Sequence, residues 1–189
     1  MKKIISIFAL ILSIISCKAQ IYPLNTFFEN VPNYSYMKDL DNVLSPYVGI
    51  YKATYNGNET TLYITKEDKM LTDYGANDKK FYQDVLHIKY TVKKISTGAI
   101  LQDTQNVNTQ DNKITSIGTR VFDDNAITLI HYGAGCGLGG GDVKLKKPAE
   151  NQISWSFSPE STMMLPGQCT NVDKKIYLPE AANLIFTKQ

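Results

Sequence analysis

The residue with the clearest chemical role is a cysteine near the start of the chain. Cys17 follows two lysines and a 13-residue run, 4–16, that holds no charge. A positive segment, an apolar segment and a small residue in this order are typical of a secretory signal peptide, and the apolar run is shorter than the roughly 20 residues of a membrane-spanning helix. A cysteine directly after such a segment is the pattern of a bacterial lipobox, in which the thiol is acylated and becomes the first mature residue.

The lipobox differs from the usual pattern at one position. Ile15 stands two residues before the cysteine, where a small residue is usual. An ordinary signal peptide that ends after Ala19, with Cys17 discarded, is therefore the alternative. We predict a signal peptide over 1–16 and lipid attachment at Cys17, because two or three acyl chains on one cysteine hold a protein stably at a bilayer, whereas a single chain holds it only marginally.

Two further cysteines remain in the mature chain. Cys136 lies in a glycine-rich run, 133–141, and Cys169 follows 33 positions later. An even number of cysteines suits an oxidising compartment. A bridge that closes a loop of this length stabilises a fold by about 3–4 kcal/mol in the chain-entropy model. We predict a structural disulfide between Cys136 and Cys169.

The glycine run also satisfies the pattern Gly-x-Gly-x-x-Gly at 135–140. A dinucleotide or phosphate site needs a helix directly after these glycines, so that the amides of its first turn face the anion. The residues that follow, 142–148, alternate as in a strand and contain no P-loop lysine-serine or lysine-threonine pair. We therefore predict a loop at this position and no nucleotide or other cofactor.

Three side chains could line a ligand site inside the fold: Arg120, His131 and Trp155. Each is an even number of positions from apolar residues of its predicted strand, so it shares their parity and points to the same face. Ligand cavities combine apolar walls with a few polar groups. The alternatives are a core histidine whose hydrogen bond is satisfied and an Arg120 that faces water at a bent edge. The second histidine, His87, falls on the lysine-bearing face of its strand, and we expect it to be solvated.

No residue pattern supports an enzyme or a metal site. The sequence has no Gly-x-Ser-x-Gly and no His-Glu-x-x-His. The carboxylate pair Asp123–Asp124 belongs to an Asp-Asp-Asn turn between two predicted strands. The cysteines and the two histidines lack the spacing of zinc ligands. We therefore predict no catalytic residues and no metal.

Charge argues against nucleic acid as a partner. The chain has 20 basic and 18 acidic residues, and Lys2 and Lys3 leave with the signal peptide, so the mature protein has no net charge. Arg120 is the only arginine. Such a chain has neither the overall charge that attracts nucleic acid nor the residue type that most often reads bases.

The elements that position these residues are predicted to be β-strands. Apolar and small polar residues alternate over 153–158, and β-branched and aromatic runs flank Asn56-Gly57, the strongest short hairpin signal. Hairpin-connected strands of this kind close into a barrel or stack as a sandwich to hide their edges. We predict an all-β fold, an antiparallel up-and-down barrel of lipocalin-like form, with a two-sheet β-sandwich as the alternative.

Domain organisation follows from where the strand pattern begins. Residues 18–45 are rich in asparagine and contain two prolines, and they show no sustained period. We predict that 17–45 comprise the lipidated cysteine and a tether, and that 46–189 form a single β domain. The opening Pro46 to Tyr51 resembles the Gly-x-aromatic first strand of lipocalin-like and avidin-like barrels.

Several short segments resemble a group of small, uncharacterised bacterial lipoproteins classed as a domain of unknown function. They are SCKAQIYPLN at 16–25, PYVG at 46–49, CGL at 136–138 and LIFTK at 184–188. The resemblance spans nearly the whole chain and implies an envelope location without implying an activity. In related envelope systems an acidic run after the lipidated cysteine marks export to the cell surface, and 18–21 lack one. We therefore predict an outer-membrane location that faces the periplasm, with the cell surface or secretion as the alternative.

Function is predicted only at the level of class. These features predict a membrane-tethered envelope lipoprotein that acts as a binding or interaction module, with a small apolar molecule or an envelope protein as its partner. The first alternative is an envelope hydrolase whose catalytic residues the sequence does not identify. The second is a structural or inhibitory protein that acts through its surface.

Overall fold

The computed structural model describes residues 20–73, 75, 79–108, 113–119, 126–133, 137–161, 170 and 175–189. The predicted signal peptide, the predicted lipid site Cys17, the predicted disulfide partners Cys136 and Cys169, and Arg120 lie outside the described residues.

Eleven strands make up nearly all of the regular structure in the described ranges. They are β1 (Ile21–Pro23), β2 (Tyr36–Lys38), β3 (Gly49–Tyr55), β4 (Asn58–Asp73), β5 (Lys80–Lys94), β6 (Ile100–Asp103), β7 (Ile114–Thr119), β8 (Ile127–His131), β9 (Gly141–Ala149), β10 (Gln152–Phe157) and β11 (Ala181–Lys188). Two single 3₁₀ turns cover Phe28–Asn30 and Ser45–Tyr47. Within these same ranges, no helix has the length and apolar character to cross a bilayer.

Eight of the strands close into an antiparallel barrel. The ring runs β3-β4-β5-β7-β8-β9-β10-β11, and β11 pairs with β3 to complete it. Each of these strands pairs with the next barrel strand along the chain, so the connection is up-and-down. This confirms the predicted antiparallel barrel, with the strand number of lipocalins, over the two-sheet sandwich.

The first hairpin of the barrel has the predicted turn. Asn56 and Gly57 have φ values of +46° and +75°, and they join β3 to β4. Two successive residues with positive φ are the signature of the hairpin turn whose twist matches the flanking strands. Leu62 and Ile64 of β4 are buried.

The barrel interior is filled by alternate side chains of its strands. Ile153, Trp155 and Phe157 of β10 are buried, and Trp155 lies opposite Leu145 and Leu184 on the neighbouring strands. Residues directly opposite each other in a sheet point to the same face. The predicted alternation over 153–158 is therefore confirmed for its inward members.

Strand β5 pairs with β7 at the junction that closes the barrel, which we call the seam. One edge of this 15-residue strand pairs with three other strands: with β2 at Tyr82 and Gln83, with β7 at His87, and with β6 at 91–93. The register between the described residues of β5 and β7 contains one pair, His87 with Thr115. The amide of Leu86 donates to the buried Ser116 Oγ at 2.8 Å, which adds a second link across this seam.

Residues 20–45 pack against the barrel, which differs from the predicted tether. Strands β1 and β2 pair in parallel with each other, and β2 pairs in parallel with β5. Four aliphatic side chains of this segment are buried: Leu24, Val31, Met37 and Leu44. Their spacing follows no strand or helix period, because short strands and turns place them on the barrel one at a time. Sequence periodicity therefore gave no sign of their burial.

Candidate functional site

His131, one of the predicted lumen residues, is a satisfied core histidine. It ends β8 and is 3% exposed, and Nδ1 lies 2.8 Å from the carbonyl oxygen of Gly139, so Nδ1 donates this bond. Burial lowers the pKa of His131 below 6.5; the bond to Gly139 opposes this change, and the charge of Lys113 adds to it. The ring meets Phe157 edge-on, with centroids 5.6 Å apart. The structure thus favours the structural alternative for His131.

Trp155, the second predicted lumen residue, also belongs to the core. Its indole Nε1 donates to the carbonyl oxygen of Pro179 at 2.9 Å, and its ring contacts those of Phe157 and Phe186 at 6.1 and 5.9 Å between centroids. Phe157 therefore brings Trp155 and His131 into one aromatic cluster. In both residues a ring nitrogen donates to a backbone carbonyl. Arg120, the third predicted member, lies outside the described residues.

A polar trough lies on the outer face of the barrel, along β10. Its floor consists of serines, the outward residues of β10 and the residue after it: Ser154, Ser156 and Ser158. Ser154 lies opposite Lys146 on β9 and Ile185 on β11, so a short side chain sits between two long ones. These two neighbours leave Ser154 8% exposed, whereas Ser156 is half-buried and Ser158 is exposed, so the channel opens to solvent toward the end of β10. We call this channel the serine trough.

Two adjoining grooves of about 520 and 600 Å³ make up the serine trough. The first is lined by Lys144, which lies opposite Ser156, and at one end by three carboxylates, those of Asp142, Glu160 and Glu180. The second is lined at the other end by Lys146 and Lys147. The serine trough therefore has an acidic end and a basic end.

Asn183 joins the two grooves at a bulge in β11. Its φ of +57° and the shift in register between β10 and β11 mark the extra residue. The backbone amide of Asn183 donates to Ser156 Oγ at 2.9 Å, and its side-chain Oδ1 lies 3.4 Å from Ser154 Oγ. The bulge thus adds an amide side chain to the floor of hydroxyl groups. Hydroxyl groups and amides both donate and accept hydrogen bonds, so this floor suits a polar ligand with a peptide-like or sugar-like backbone.

Tyr47 borders the basic end of the serine trough. It belongs to the 3₁₀ turn before β3 and lines the groove with Lys146, Lys147 and Ile185. Burial, with a smaller contribution from Tyr51, raises the pKa of Tyr47 above 10. Its hydroxyl group is therefore neutral at physiological pH and can both donate and accept a hydrogen bond.

A relay of three polar side chains lies at the barrel seam. His87 Nε2 is 3.0 Å from Glu67 Oε2, and Nδ1 is 3.1 Å from Thr115 Oγ1. Because an ionised glutamate only accepts, Nε2 of a neutral ring carries the proton and Nδ1 accepts from the threonine hydroxyl group. The prediction that His87 is solvated is wrong, since the residue is 4% exposed. Glu67 and Thr115 cover the face on which parity had placed it.

A buried carboxylate fastens the N-terminal segment to the barrel. Asp84 on β5 accepts hydrogen bonds from the Tyr36 hydroxyl group and from the amides of Asp39 and Lys69. Burial raises the pKa of Asp84, but these three bonds and the nearby charge of Lys66 outweigh it, and the pKa lies below 3.8. All three donors stabilise the ionised form. We call this arrangement the Asp84 clasp.

Sequence reasoning did not find the serine trough. The alternation of serines over 154–158 was visible, but it was interpreted only as the outer face of a half-buried strand. The register of β10 against β9 and β11, which decides what flanks the serines, is not a property of any one segment. Within the described part of the chain, no three His, Cys, Asp or Glu side chains form a group that could hold a metal ion.

Comparison with known proteins gives a family and no activity. Neither a search of curated proteins nor a search of solved structures found a match. A family model described as a family of unknown function, DUF6705, matches residues 1–189. The chain, with its closed eight-stranded barrel, belongs to this family of unknown function.

Proposed function

We propose that the protein is a lipid-anchored module of the bacterial cell envelope that binds an extended peptide segment in the serine trough. The observation that carries this proposal is the trough itself, with short hydroxyl side chains between long flanking ones and opposite charges at its two ends. A binding module of this kind requires no catalytic residue.

The dimensions and chemistry of the serine trough support a short peptide as ligand. From Ser154 to Ser158 the floor spans five residues, and the four steps between them cover about 13 Å at the rise of a strand. An extended segment of four or five residues has this length, and its backbone amides and carbonyls match the hydroxyl groups of the floor. A basic group at one end would meet Asp142, Glu160 and Glu180, and an acidic group at the other would meet Lys146 and Lys147.

The anchor and the compartment are part of the proposal. A signal peptide over 1–16, lipid on Cys17 and a disulfide between Cys136 and Cys169 are consistent with an outer-membrane protein that faces the periplasm. Mass spectrometry of the mature protein tests the anchor, since lipid on Cys17 raises the mass of its N-terminal peptide. A Cys17→Ser variant that stays in the membrane fraction would contradict it.

Peptide binding tests the serine trough. Blocked pentapeptides of glycine and serine with a lysine at one end and an aspartate at the other should bind about tenfold more tightly than peptides with the same charge at both ends. Affinity should fall as salt is added, because exposed charges are screened. Fluorescence anisotropy of labelled peptides measures both effects.

A filling variant and a matched control localise the binding. Ser156→Tyr puts a large ring on the trough floor and should weaken binding by about tenfold, as expected for loss of a few contacts worth about 1.4 kcal/mol. Thr54→Tyr adds the same ring at an exposed position of β3 and should leave affinity unchanged. Equal binding by the peptides with opposite end charges and by those with the same charge at both ends, together with no effect of Ser156→Tyr, would refute the proposed site.

A hydrolase is the second candidate function, because of the relay at the seam. Thr115, His87 and Glu67 stand in the order of hydroxyl group, base and orienting carboxylate, at 3.1 and 3.0 Å. Hydrolysis of p-nitrophenyl esters that is retained by Thr115→Ser and lost in Thr115→Val would support this function. Equal rates in the two variants would contradict the hydrolase function and would mean that the relay only links β5 to β7.

A further inference from the structure

The described chain begins almost at the proposed lipid site. Gln20 is three residues after Cys17, and its carbonyl oxygen already accepts a hydrogen bond from the amide of Tyr36 at 2.9 Å. Three extended residues reach at most about 11 Å. A lipid on Cys17 therefore brings the bilayer surface close to the place where β1 begins.

A row of apolar and aromatic side chains crosses the sheet at this same place, on the face that continues the barrel interior beyond the part of β5 that pairs with β7. The register aligns Ile21 of β1 with Tyr36 of β2, Tyr36 with Tyr82 of β5, and Tyr82 with Leu71 of β4. Residues in direct register share a face, so the four form one row about 14 Å wide. Its outer members are exposed, Ile21 by 55% and Leu71 by 48%. The ammonium group of Lys69 lies over both tyrosine rings, 5.9 and 5.3 Å from their centroids.

Further aromatic side chains lie at the same end of the barrel. Phe27 and Tyr34 are more than half exposed, and the rings of Phe27 and Phe28 are 5.3 Å apart. The backbone places them beside the start of β5, because the amide of Tyr34 donates to the carbonyl oxygen of Lys80 and the Lys79 ammonium group donates to that of Phe28. Aromatic rings, aliphatic side chains and lysines together are typical of surfaces that sit at a membrane interface.

We infer that the end of the barrel at which β1, β2, β5 and β4 meet rests on the bilayer of the membrane that holds the lipid. This inference depends on the lipid anchor of the proposed function. It assigns the exposed apolar row, Phe27, Phe28 and Tyr34 to the headgroup region, where apolar side chains enter by about 5–10 Å. The lipid anchor holds the protein close to the bilayer, and the apolar row determines which part of the protein contacts it.

Quenching by brominated lipid tests the inference. The full-length protein, processed in cells, is reconstituted into phosphatidylethanolamine and phosphatidylglycerol vesicles whose acyl chains carry bromine, which quenches tryptophan on contact. Phe27→Trp places a reporter on the proposed membrane face, and Ile185→Trp places a matched reporter at an exposed position of the serine trough. The native Trp155 is fully buried and gives the common background.

We expect the added emission of Phe27→Trp to fall by about half and that of Ile185→Trp to stay constant, given an interfacial depth of a few ångströms. Flotation of the wild type with the vesicles separates the two proposals. If the protein floats and Phe27→Trp is quenched no more than Ile185→Trp, the membrane face is refuted and the anchor stands. If the wild type does not float while it does bind peptide, both the anchor and this face are refuted and the peptide site stands.

Discussion

At the residue scale, His131 makes the stability of the barrel depend on pH. Its ring is buried against Phe157, its Nδ1 donates to Gly139, and the folded protein lowers its pKa below 6.5. The unfolded chain therefore binds more protons at this position than the folded protein does, in the pH range just below 6.5. Stability rises with pH wherever the unfolded state binds more protons, so acidification through this range favours unfolding.

Replacement of His131 by asparagine should weaken this pH dependence. The asparagine amide can donate to the carbonyl oxygen of Gly139 in place of Nδ1, and it does not titrate. We expect the free energy of unfolding of the wild type to decrease between pH 7 and pH 5 by more than that of His131→Asn. Urea denaturation followed by Trp155 fluorescence measures both. All other groups are the same in both proteins and cancel in the comparison, and an equal decrease in the two would contradict the role of His131.

The two histidines also show what strand parity can and cannot predict. Parity gave the correct face for both residues, inward for His131 and outward for His87. It did not give the burial of His87, because Glu67 and Thr115 cover that ring from other strands. A candidate site that depends on side chains from three strands is therefore not readable from any one strand pattern.

At the scale of elements, the Asp84 clasp holds three separate pieces of chain in place. It joins β5 to β2 through the Tyr36 hydroxyl group, to the following turn through the amide of Asp39, and to the bulge of β4 through the amide of Lys69. Lys69 has a φ of +58°, a conformation that costs energy for a residue with a side chain. The clasp therefore offsets local strain and fixes the entry of the N-terminal segment.

Removal of the carboxylate should destabilise the protein strongly. Asp84→Ala leaves the amides of Asp39 and Lys69 without their acceptor, and we expect a loss of about 3 kcal/mol, since each unsatisfied buried amide costs about 1–3 kcal/mol. Tyr36→Phe removes one hydrogen bond to a charged acceptor and should cost about 1.5 kcal/mol. Urea denaturation gives both values.

A double variant provides the control for the clasp. Because both changes remove the same hydrogen bond, the loss in Asp84→Ala with Tyr36→Phe should be smaller than the sum of the two single losses. Additive losses would mean that Tyr36 and Asp84 do not act together. A loss under about 1 kcal/mol for Asp84→Ala would mean that water replaces the acceptor and that the clasp contributes little.

At the scale of the whole molecule, the barrel was predictable and its surface was not. Hairpin signals such as Asn56-Gly57 and the alternation over 153–158 depend on neighbours in sequence, and both were visible. Closure depends on β11 with β3 and on β5 with β7, and the serine trough depends on β10 with β11. These contacts join distant segments, and only the structure supplies them.

The N-terminal segment gives the sharpest test of where the folded unit begins. If 46–189 were a complete domain, a chain that starts at Pro46 would unfold as cooperatively as one that starts at residue 17 with Cys17→Ser. The segment 20–45 buries four aliphatic side chains on the barrel, those of Leu24, Val31, Met37 and Leu44. Each contributes roughly 1.5–3 kcal/mol, and such a sum approaches the 5–15 kcal/mol that stabilises a whole domain.

We therefore expect the chain 46–189 to lose its cooperative thermal transition, as followed by circular dichroism. In the longer chain, the double variant Leu24→Ala with Met37→Ala should lower the midpoint of the transition without abolishing it. The double variant separates lost packing from lost chain length, because it keeps β1 and β2 and removes only two buried side chains. An unchanged, sharp transition in 46–189 would show that the segment is a separable tether. The bilayer could then lie far from β1 and β2, and the proposed contact between this end of the barrel and the membrane would lose its physical basis.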